Sequence, residues 1–134
     1  MTTKRPTKSP LEIDVLIQAV AWRRALPGAA RLAAAAARAA FSAVPPARMP
    51  KAGAEAAVVL ADDKAVRKLN RDWRHQDKPT NVLAFAAGEG PRAGPAPLAL
   101  GDVVVAIETA RTEAESEGKP LADHVRHLVV HGML

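Results

Sequence analysis

Two short, uninterrupted apolar runs restrict what this chain can fold into more than any other feature of its sequence. They cover residues 56–61 and 103–107, and neither contains a polar side chain. A strand with one solvated face alternates apolar and polar residues, so uninterrupted runs indicate strands that are covered on both faces. Helical spacing of apolar residues occupies much of the sequence around them. We therefore predict a three-layer α/β domain with a mostly parallel sheet.

Two further strands and four helices complete the predicted order of elements. Apolar and polar residues alternate over residues 11–17, which predicts a half-buried first strand, and residues 82–86 read as the third strand. The four helices are predicted after Gly28, after the possible capping residues Asp62 and Asp63, over residues 109–117, and from Pro120 to the end of the sequence.

The third and fourth predicted strands have no helix between them, so one of the two must run antiparallel. The predicted fold class is therefore α/β (α+β), a small, mixed, mostly parallel four-stranded sheet with an antiparallel edge strand, flanked by helices. Trp22 and Trp73 are both predicted to be core residues. Residues 1–10 have the composition of a flexible basic tail, and residues 11–134 are predicted to form a single domain.

The charge balance favours a polyanionic partner. Nineteen Lys and Arg residues against fourteen Asp and Glu give a net charge of +5, which suits RNA or DNA better than an anionic membrane. The absence of cysteine excludes disulfides and thiolate metal sites. The N-terminal segment is polar and basic, unlike a secretory signal, and no apolar stretch is long enough to span a bilayer. We predict a cytoplasmic protein with no membrane association.

Three histidines lie close together on the last predicted helix. At 100° per residue, His124, His127 and His131 fall within an arc of about 60°, beside the apolar stripe of the helix. His127 and His131 have the spacing at which two imidazoles can hold one zinc ion. On spacing alone, half-buried histidines with ordinary hydrogen bonds are the better interpretation. No Glu follows His127, so the pair is not the HExxH motif of a metalloprotease.

Three segments resemble the YbeY family. Residues 69–85, LNRDWRHQDKPTNVLAF, resemble the family segment L-N-x-x-(Y/W)-R-x-x-D-x-P-T-(D/N)-V-L-S-F, with Ala84 in place of Ser. Residues 100–106 resemble its L-G-D-(I/V)-x-I-(S/A) strand, and residues 131–134, HGML, resemble the opening of its H-G-x-L-H-L-x-G-Y-D-H motif. The resemblance to these endoribonucleases extends over residues 11–134.

The resemblance implies a zincin-like fold. It also implies a zinc-dependent hydrolase, a single-strand-specific endoribonuclease that acts in ribosomal RNA maturation and ribosome quality control. Ribosomal or other single-stranded RNA and the ribosome are the implied partners. In the family, three histidines hold one zinc ion and leave a fourth position for water. His131 matches the first ligand, and the other two would follow Leu134. We therefore expect a domain that is incomplete at its C-terminus, with weak or absent zinc binding and no activity as given.

The resemblance also assigns roles outside the histidine motif. Arg74 matches the functional arginine of the family, which implies a catalytic contact to the phosphate and the transition state. Lys78 and Asn81 are further candidates for substrate binding. Without the resemblance, Arg74 would be interpreted as a solvated charge at a helix end. The alternative function is a non-catalytic, basic RNA- or ribosome-binding assembly factor.

Overall fold

A single four-stranded sheet organises the molecule. The computed structural model describes residues 11–42, 54–86 and 99–133. In chain order the elements are β1 (Leu11–Ile17), α1 (Ala21–Ala25), α2 (Ala29–Ser42), β2 (Ala54–Ala61), α3 (Asp63–Arg74), β3 (Val82–Ala86), β4 (Ala99–Ala106), α4 (Ile107–Glu117) and α5 (Leu121–Met133). The tail that the sequence predicts over residues 1–10 lies outside the described residues.

The sheet has the strand order β1-β2-β4-β3. The β1–β2 and β2–β4 pairs are parallel, whereas β3 pairs with β4 antiparallel at the edge. The predicted mixed, mostly parallel sheet with an antiparallel edge strand is therefore confirmed. The antiparallel pairing agrees with the sequence, which predicts no helix between β3 and β4, because a parallel neighbour is usually reached through a helical crossover.

The two central strands are buried on both faces, as their apolar sequences predict. One face carries Leu60 and Val105, which belong to the core cluster shared with α2 and α5. The opposite face carries Val104 and Ala106, which pack with Val66 of α3. The sheet is thus the middle layer of three, and α3 and α5 lie on opposite sides of it.

The two tryptophans have different environments. Trp22 is fully buried, and its indole Nε1 donates to the carbonyl of Ala61 at 2.8 Å, which confirms the core prediction and fixes the short helix α1 against β2. The core prediction for Trp73 is wrong, because 42% of this residue is exposed. Its ring meets the edge of Phe85 with the centroids 6.1 Å apart. Helical spacing placed Trp73 on the inward stripe, but α3 reaches the rim of the sheet at that point.

Reciprocal hydrogen bonds join the N-termini of α3 and α4. The Asp63 carboxylate accepts from the backbone N–H of Thr109 at 3.0 Å and from its hydroxyl at 2.8 Å. Glu108 in turn accepts from the backbone N–H of Asp63 at 2.8 Å. Asp62 caps α3 itself by accepting from Ala65 N–H at 2.8 Å. Each satisfied helix terminus is worth about 1 kcal/mol, and together they fix where α4 lies.

Gly101 allows β3 to approach β4 closely. Its φ is 128°, and a Cβ at this position would lie 2.3 Å from the carbonyl oxygen of Phe85. Only glycine adopts this backbone conformation without strain.

Among the helices of the described ranges, none has the length and apolar character that a membrane span requires.

Candidate active-site groove along the histidine helix

A polar groove runs between α4, α5 and the start of β3. Its volume is about 340 Å³. The lining residues are Asn81, Val82, Glu113, Glu117, His124, His127, Leu128 and His131. The groove therefore brings together the histidine row and one of the two predicted substrate-binding residues, Asn81.

The three histidines form a stacked row along α5. The ring centroids of His124 and His127 are 6.3 Å apart with planes 15° from parallel, and those of His127 and His131 are 6.3 Å apart at 13°. His124 is only 3% exposed, whereas His127 and His131 are exposed. The row begins in the protein interior and ends at solvent, as its position beside the apolar stripe predicts.

Glu113 of α4 connects the histidine row to Asn81, the residue before β3. Its Oε1 lies 2.8 Å from Nε2 of His124, and Nδ2 of Asn81 donates to the same carboxylate at 3.0 and 3.2 Å. Nδ1 of His124 is buried without a hydrogen-bond partner among the described residues. A proton on Nδ1 would therefore be unsatisfied, so the neutral ring is best assigned with its proton on Nε2, donated to Glu113.

Glu113 is a site residue that the sequence does not predict. It precedes the buried Ala114 in α4, and its helix shows no motif that separates it from the solvated carboxylates nearby. The available signal was its place on the flank of an alanine stripe, which is also where a surface residue would lie. Glu117, one turn further on, is exposed, and a hydrogen bond from Lys119 at 3.0 Å lowers the pKa of its carboxyl group.

Gly132 brings the end of α5 against the sheet. A Cβ at this position would lie 2.8 Å from Cγ1 of Val103 and 3.2 Å from Cγ2 of Val82. Any side chain would force the helix and the strands apart, so the glycine of the histidine–glycine pair has a packing role here. The close approach places His131, the neighbouring residue, at the groove beside β3.

Asn70 holds the loop that leads into β3. Its side-chain Nδ2 donates to the carbonyl of Lys78 at 2.9 Å, and its own carbonyl accepts from Gln76 N–H at 3.2 Å. The backbone carbonyl of Asn81 then accepts from Ala106 N–H at 3.0 Å, which fixes Asn81, the residue before β3, against the end of β4. Lys78 is exposed and does not line the groove.

Arg74 is held against β3 outside the groove lining. Its Nη2 donates to the carbonyl of Ala84 at 2.9 Å and its Nη1 to the carbonyl of Trp73 at 3.3 Å. The guanidinium carbon also lies 4.9 Å from the ring centroid of Phe85, a cation–π distance. Arg74 is half-buried, and these hydrogen bonds hold it to the backbone at the end of α3 and to β3.

Arg74 and His131 approach β3 from different sides. Phe85 belongs to the core on the α3 face, whereas Val82 packs against the core on the α5 face and meets Gly132. Side chains of a strand alternate between faces, which accounts for this separation. Strand β3, at the end of the described sheet order, is therefore the element that lies between the two predicted site residues.

The described residues include one candidate zinc ligand and do not supply a complete set of zinc ligands. His131 is exposed at the groove, but no group of three His, Asp or Glu side chains within residues 11–42, 54–86 and 99–133 can hold a metal ion. Two imidazoles on one zinc ion need their nitrogens about 2.0–2.1 Å from it. The nearly parallel rings of His127 and His131, 6.3 Å apart, do not converge in that way.

The fold and the groove together define a class of protein. It is a three-layer α/β domain with a polar cleft of imidazoles and carboxylates beside the antiparallel edge strand of a mixed sheet. Those side chains transfer protons and bind metal ions, so the cleft has the composition of an enzyme site.

Comparison with known proteins identifies the family. Residues 28–134 match the model of the family described as Endoribonuclease YbeY. The chain is 52% identical over 124 residues to Endoribonuclease YbeY of Azorhizobium caulinodans and 48% identical over 127 residues to that of Paramagnetospirillum magneticum. Each alignment covers 92% of this chain and 76% of the relative. The chain belongs to the YbeY endoribonuclease family, which confirms the resemblance and supports an endoribonuclease role.

A solved structure shows the same fold at low sequence identity. The solution structure of a protein from Thermotoga maritima has a TM-score of 0.55 and 17% sequence identity, and the match covers 90% of this chain and 69% of that protein. At this identity the likeness extends to the fold alone.

Proposed function

We propose that this chain is the main part of a single-strand-specific endoribonuclease that acts in ribosomal RNA maturation and ribosome quality control. The observation that carries the proposal is the groove, because in a chain of this family it brings His131 of the histidine–glycine pair next to Asn81 of the proline–threonine segment. Ribosomal RNA, other single-stranded RNA and the ribosome are the proposed partners. The net charge of +5 favours such polyanions.

His131 is the proposed zinc ligand of this chain. It is exposed at the groove, and Gly132 holds its helix close to β3 and β4. The family pattern places the second and third histidines after Leu134. Zinc in such a site supplies a bound water of lowered pKa. A chain that ends at Leu134 should therefore hold zinc weakly and cleave RNA poorly or not at all.

Arg74 is the proposed contact to the scissile phosphate. A guanidinium can hold two phosphate oxygens at once and can stabilise the charge that develops on them during cleavage. Its contacts to Ala84 and Phe85 restrict the side chain to the edge of β3 and so reduce the entropy lost when substrate binds. Asn81 at the groove and Lys78 on the preceding loop are proposed to contact the RNA backbone.

The test uses the chain extended by the family continuation His-Leu-x-Gly-Tyr-Asp-His. We expect zinc-dependent cleavage of single-stranded RNA, with little cleavage of duplex RNA or of single-stranded DNA of the same sequence. Arg74→Ala should lower kcat by roughly 10²–10³-fold, the usual effect of losing one transition-state donor, and Arg74→Lys should recover part of it. Arg71→Gln is the matched control, because Arg71 lies on the same helix and pairs with Asp72 at the surface.

The alternative function is a non-catalytic RNA- or ribosome-binding assembly factor, which the basic charge of the chain also supports. The same experiment separates the two functions. Tight RNA binding by the zinc-loaded, extended protein without any cleavage would support the assembly factor. Equal activity in the wild type, Arg74→Ala and Arg71→Gln would remove Arg74 from the mechanism.

A further inference from the structure

A second concavity, distinct from the histidine groove, is lined by arginines. It lies between α1 and α4 and has a volume of about 890 Å³. The lining residues are Val20, Ala21, Arg23, Arg24, Ala25 and Arg111. Three arginine residues therefore line one concavity, and none of the described residues that line it carries a carboxylate.

The local structure sets the arginines in place. Trp22 is fully buried and bonded to Ala61, so α1 is fixed with the adjacent Arg23 and Arg24 exposed. Arg111 is exposed next to the buried Ala110 of α4. Both helices are anchored through buried residues, so the position of the concavity does not depend on a ligand.

The arginines of this concavity differ in their ion pairing from the basic residues that line another concavity of the molecule. Another concavity is lined by Lys64, Arg67, Lys68 and Arg71; Asp62 also lines it, and ion pairs compensate the last three of these basic residues. Arg67 pairs with Asp77 at 2.8 Å, while Lys68 and Arg71 pair with Asp72 at 3.1 and 3.3 Å.

By contrast, Arg23, Arg24 and Arg111 form no ion pair with any residue in the described part of the chain. Uncompensated charges of one sign around a concavity attract a polyanion.

We propose that this arginine-lined concavity binds the sugar–phosphate backbone of single-stranded RNA as a second subsite, an inference that rests on the proposed function. Guanidinium groups bind phosphate bidentately, and their planes stack on unpaired bases. Val20, 76% exposed at the rim, adds an apolar surface for a base or ribose. Arg111 and the groove residue Glu113 lie about 160° apart around α4, so the two sites are on different flanks of one helix.

The test compares two double variants of equal charge in the chain as it exists. Arg23→Gln/Arg111→Gln removes two arginines from the concavity, and Arg31→Gln/Arg126→Gln removes two exposed arginines elsewhere. Binding of a labelled single-stranded oligoribonucleotide is measured by fluorescence anisotropy at several salt concentrations. Chelator is present throughout so that no RNA is cleaved, and circular dichroism confirms that each variant is folded.

Loss of two phosphate contacts has a defined effect. The slope of log K against log salt should become smaller by about 1.4, and binding near physiological salt should weaken about tenfold, because each single-strand contact contributes a slope of about 0.7. The control variant should keep the wild-type slope and bind within about twofold of the wild type.

The contrary outcomes are distinct. Equal slopes and affinities in both double variants would overturn the subsite but leave the proposed function standing. If the wild type does not bind RNA, the subsite is wrong, and the proposed function is then decided by the cleavage test on the extended chain. If the concavity variant loses affinity for polyglutamate and keeps its affinity for RNA, the concavity serves an acidic protein partner, and the RNA subsite is wrong.

Discussion

Removing the Glu113 carboxylate should destabilise the fold through the buried histidine that it holds. His124 is 3% exposed, and its Nε2 lies 2.8 Å from Glu113 Oε1. Its other ring nitrogen already lacks a partner among the described residues. In Glu113→Ala the imidazole would therefore keep a buried donor with no acceptor. Asn81 would also lose its bond to Glu113, but it is only half-buried and can recover a bond to water.

The size of the effect follows from that difference in burial. An unsatisfied buried donor costs about 1–3 kcal/mol, and a half-buried amide adds little. We expect Glu113→Ala to lower the free energy of unfolding by about 2 kcal/mol. For a domain of this size each kcal/mol shifts Tm by roughly 3–5 °C, so the expected decrease in Tm is about 6–10 °C. Glu117→Ala is the matched control: it removes an exposed carboxylate on the same helix and should change stability by less than about 0.5 kcal/mol.

A double-mutant cycle separates this interaction from cavity formation. Glu113→Ala, His124→Ala and the double variant are compared by thermal melting and by urea unfolding. The double variant should be more stable than the sum of the single effects predicts, by about 1–2 kcal/mol, because removing both partners leaves no orphaned donor. Additive effects within about 0.5 kcal/mol, or equal Tm values for Glu113→Ala and Glu117→Ala, would refute the reasoning.

Two further predictions concern packing and charge. Gly132→Ala should lower Tm, because the new Cβ would lie 2.8 Å from Cγ1 of Val103. The overpacking cost of about 1–3 kcal/mol exceeds the gain in helix propensity. A higher Tm would show that the end of α5 is not closely packed. A hydrogen bond from Arg67 lowers the pKa of Asp77 in the folded protein. The pair therefore stabilises the fold at pH values above the unfolded-state pKa of about 3.9. This stabilisation is lost as the pH falls through the lower pKa of the folded state. The small difference in Tm between the wild type and Asp77→Asn should therefore be present near neutral pH and absent in strong acid, and a difference that persists in acid would contradict the ion-pair explanation.

The sheet could be predicted because each strand has a pattern that depends on burial alone. The uninterrupted runs of β2 and β4 and the alternation in β1 reflect which faces are covered. The antiparallel edge followed from the lack of a predicted helix between the third and fourth strands. The short helix α1 was not predicted, because five residues are too few to show a helical period. Its position depends on Trp22, whose partner lies 39 residues away in β2.

The site was predictable only where one local segment carries it. The histidine row lies within α5, so its geometry follows from helical spacing. Glu113 joins that row from another helix, and neither its type nor its position in α4 specifies a contact to His124. Arg74 is similar: the sequence places it at a helix end, but only the path of β3 shows that Ala84 and Phe85 cover it. Contacts between elements depend on how the layers pack, and no periodic pattern records them.

The segment from Asn70 to Asn81 connects the two sides of the candidate site, and this explains why polar residues are needed throughout it. Asn70 is 5% exposed; its side-chain Nδ2 donates to the carbonyl of Lys78 and its backbone carbonyl accepts from Gln76 N–H, so this one residue fixes the loop that follows α3. The loop then delivers Asn81 to Glu113 and His124 on one face of the sheet, while Arg74 is held on the opposite face. A buried side-chain amide that donates to a loop carbonyl favours one loop conformation, because any other would leave the buried donor unsatisfied. The polar residues of this segment therefore set the relative positions of Arg74 and the histidine groove, and they would do so even where they never touch RNA.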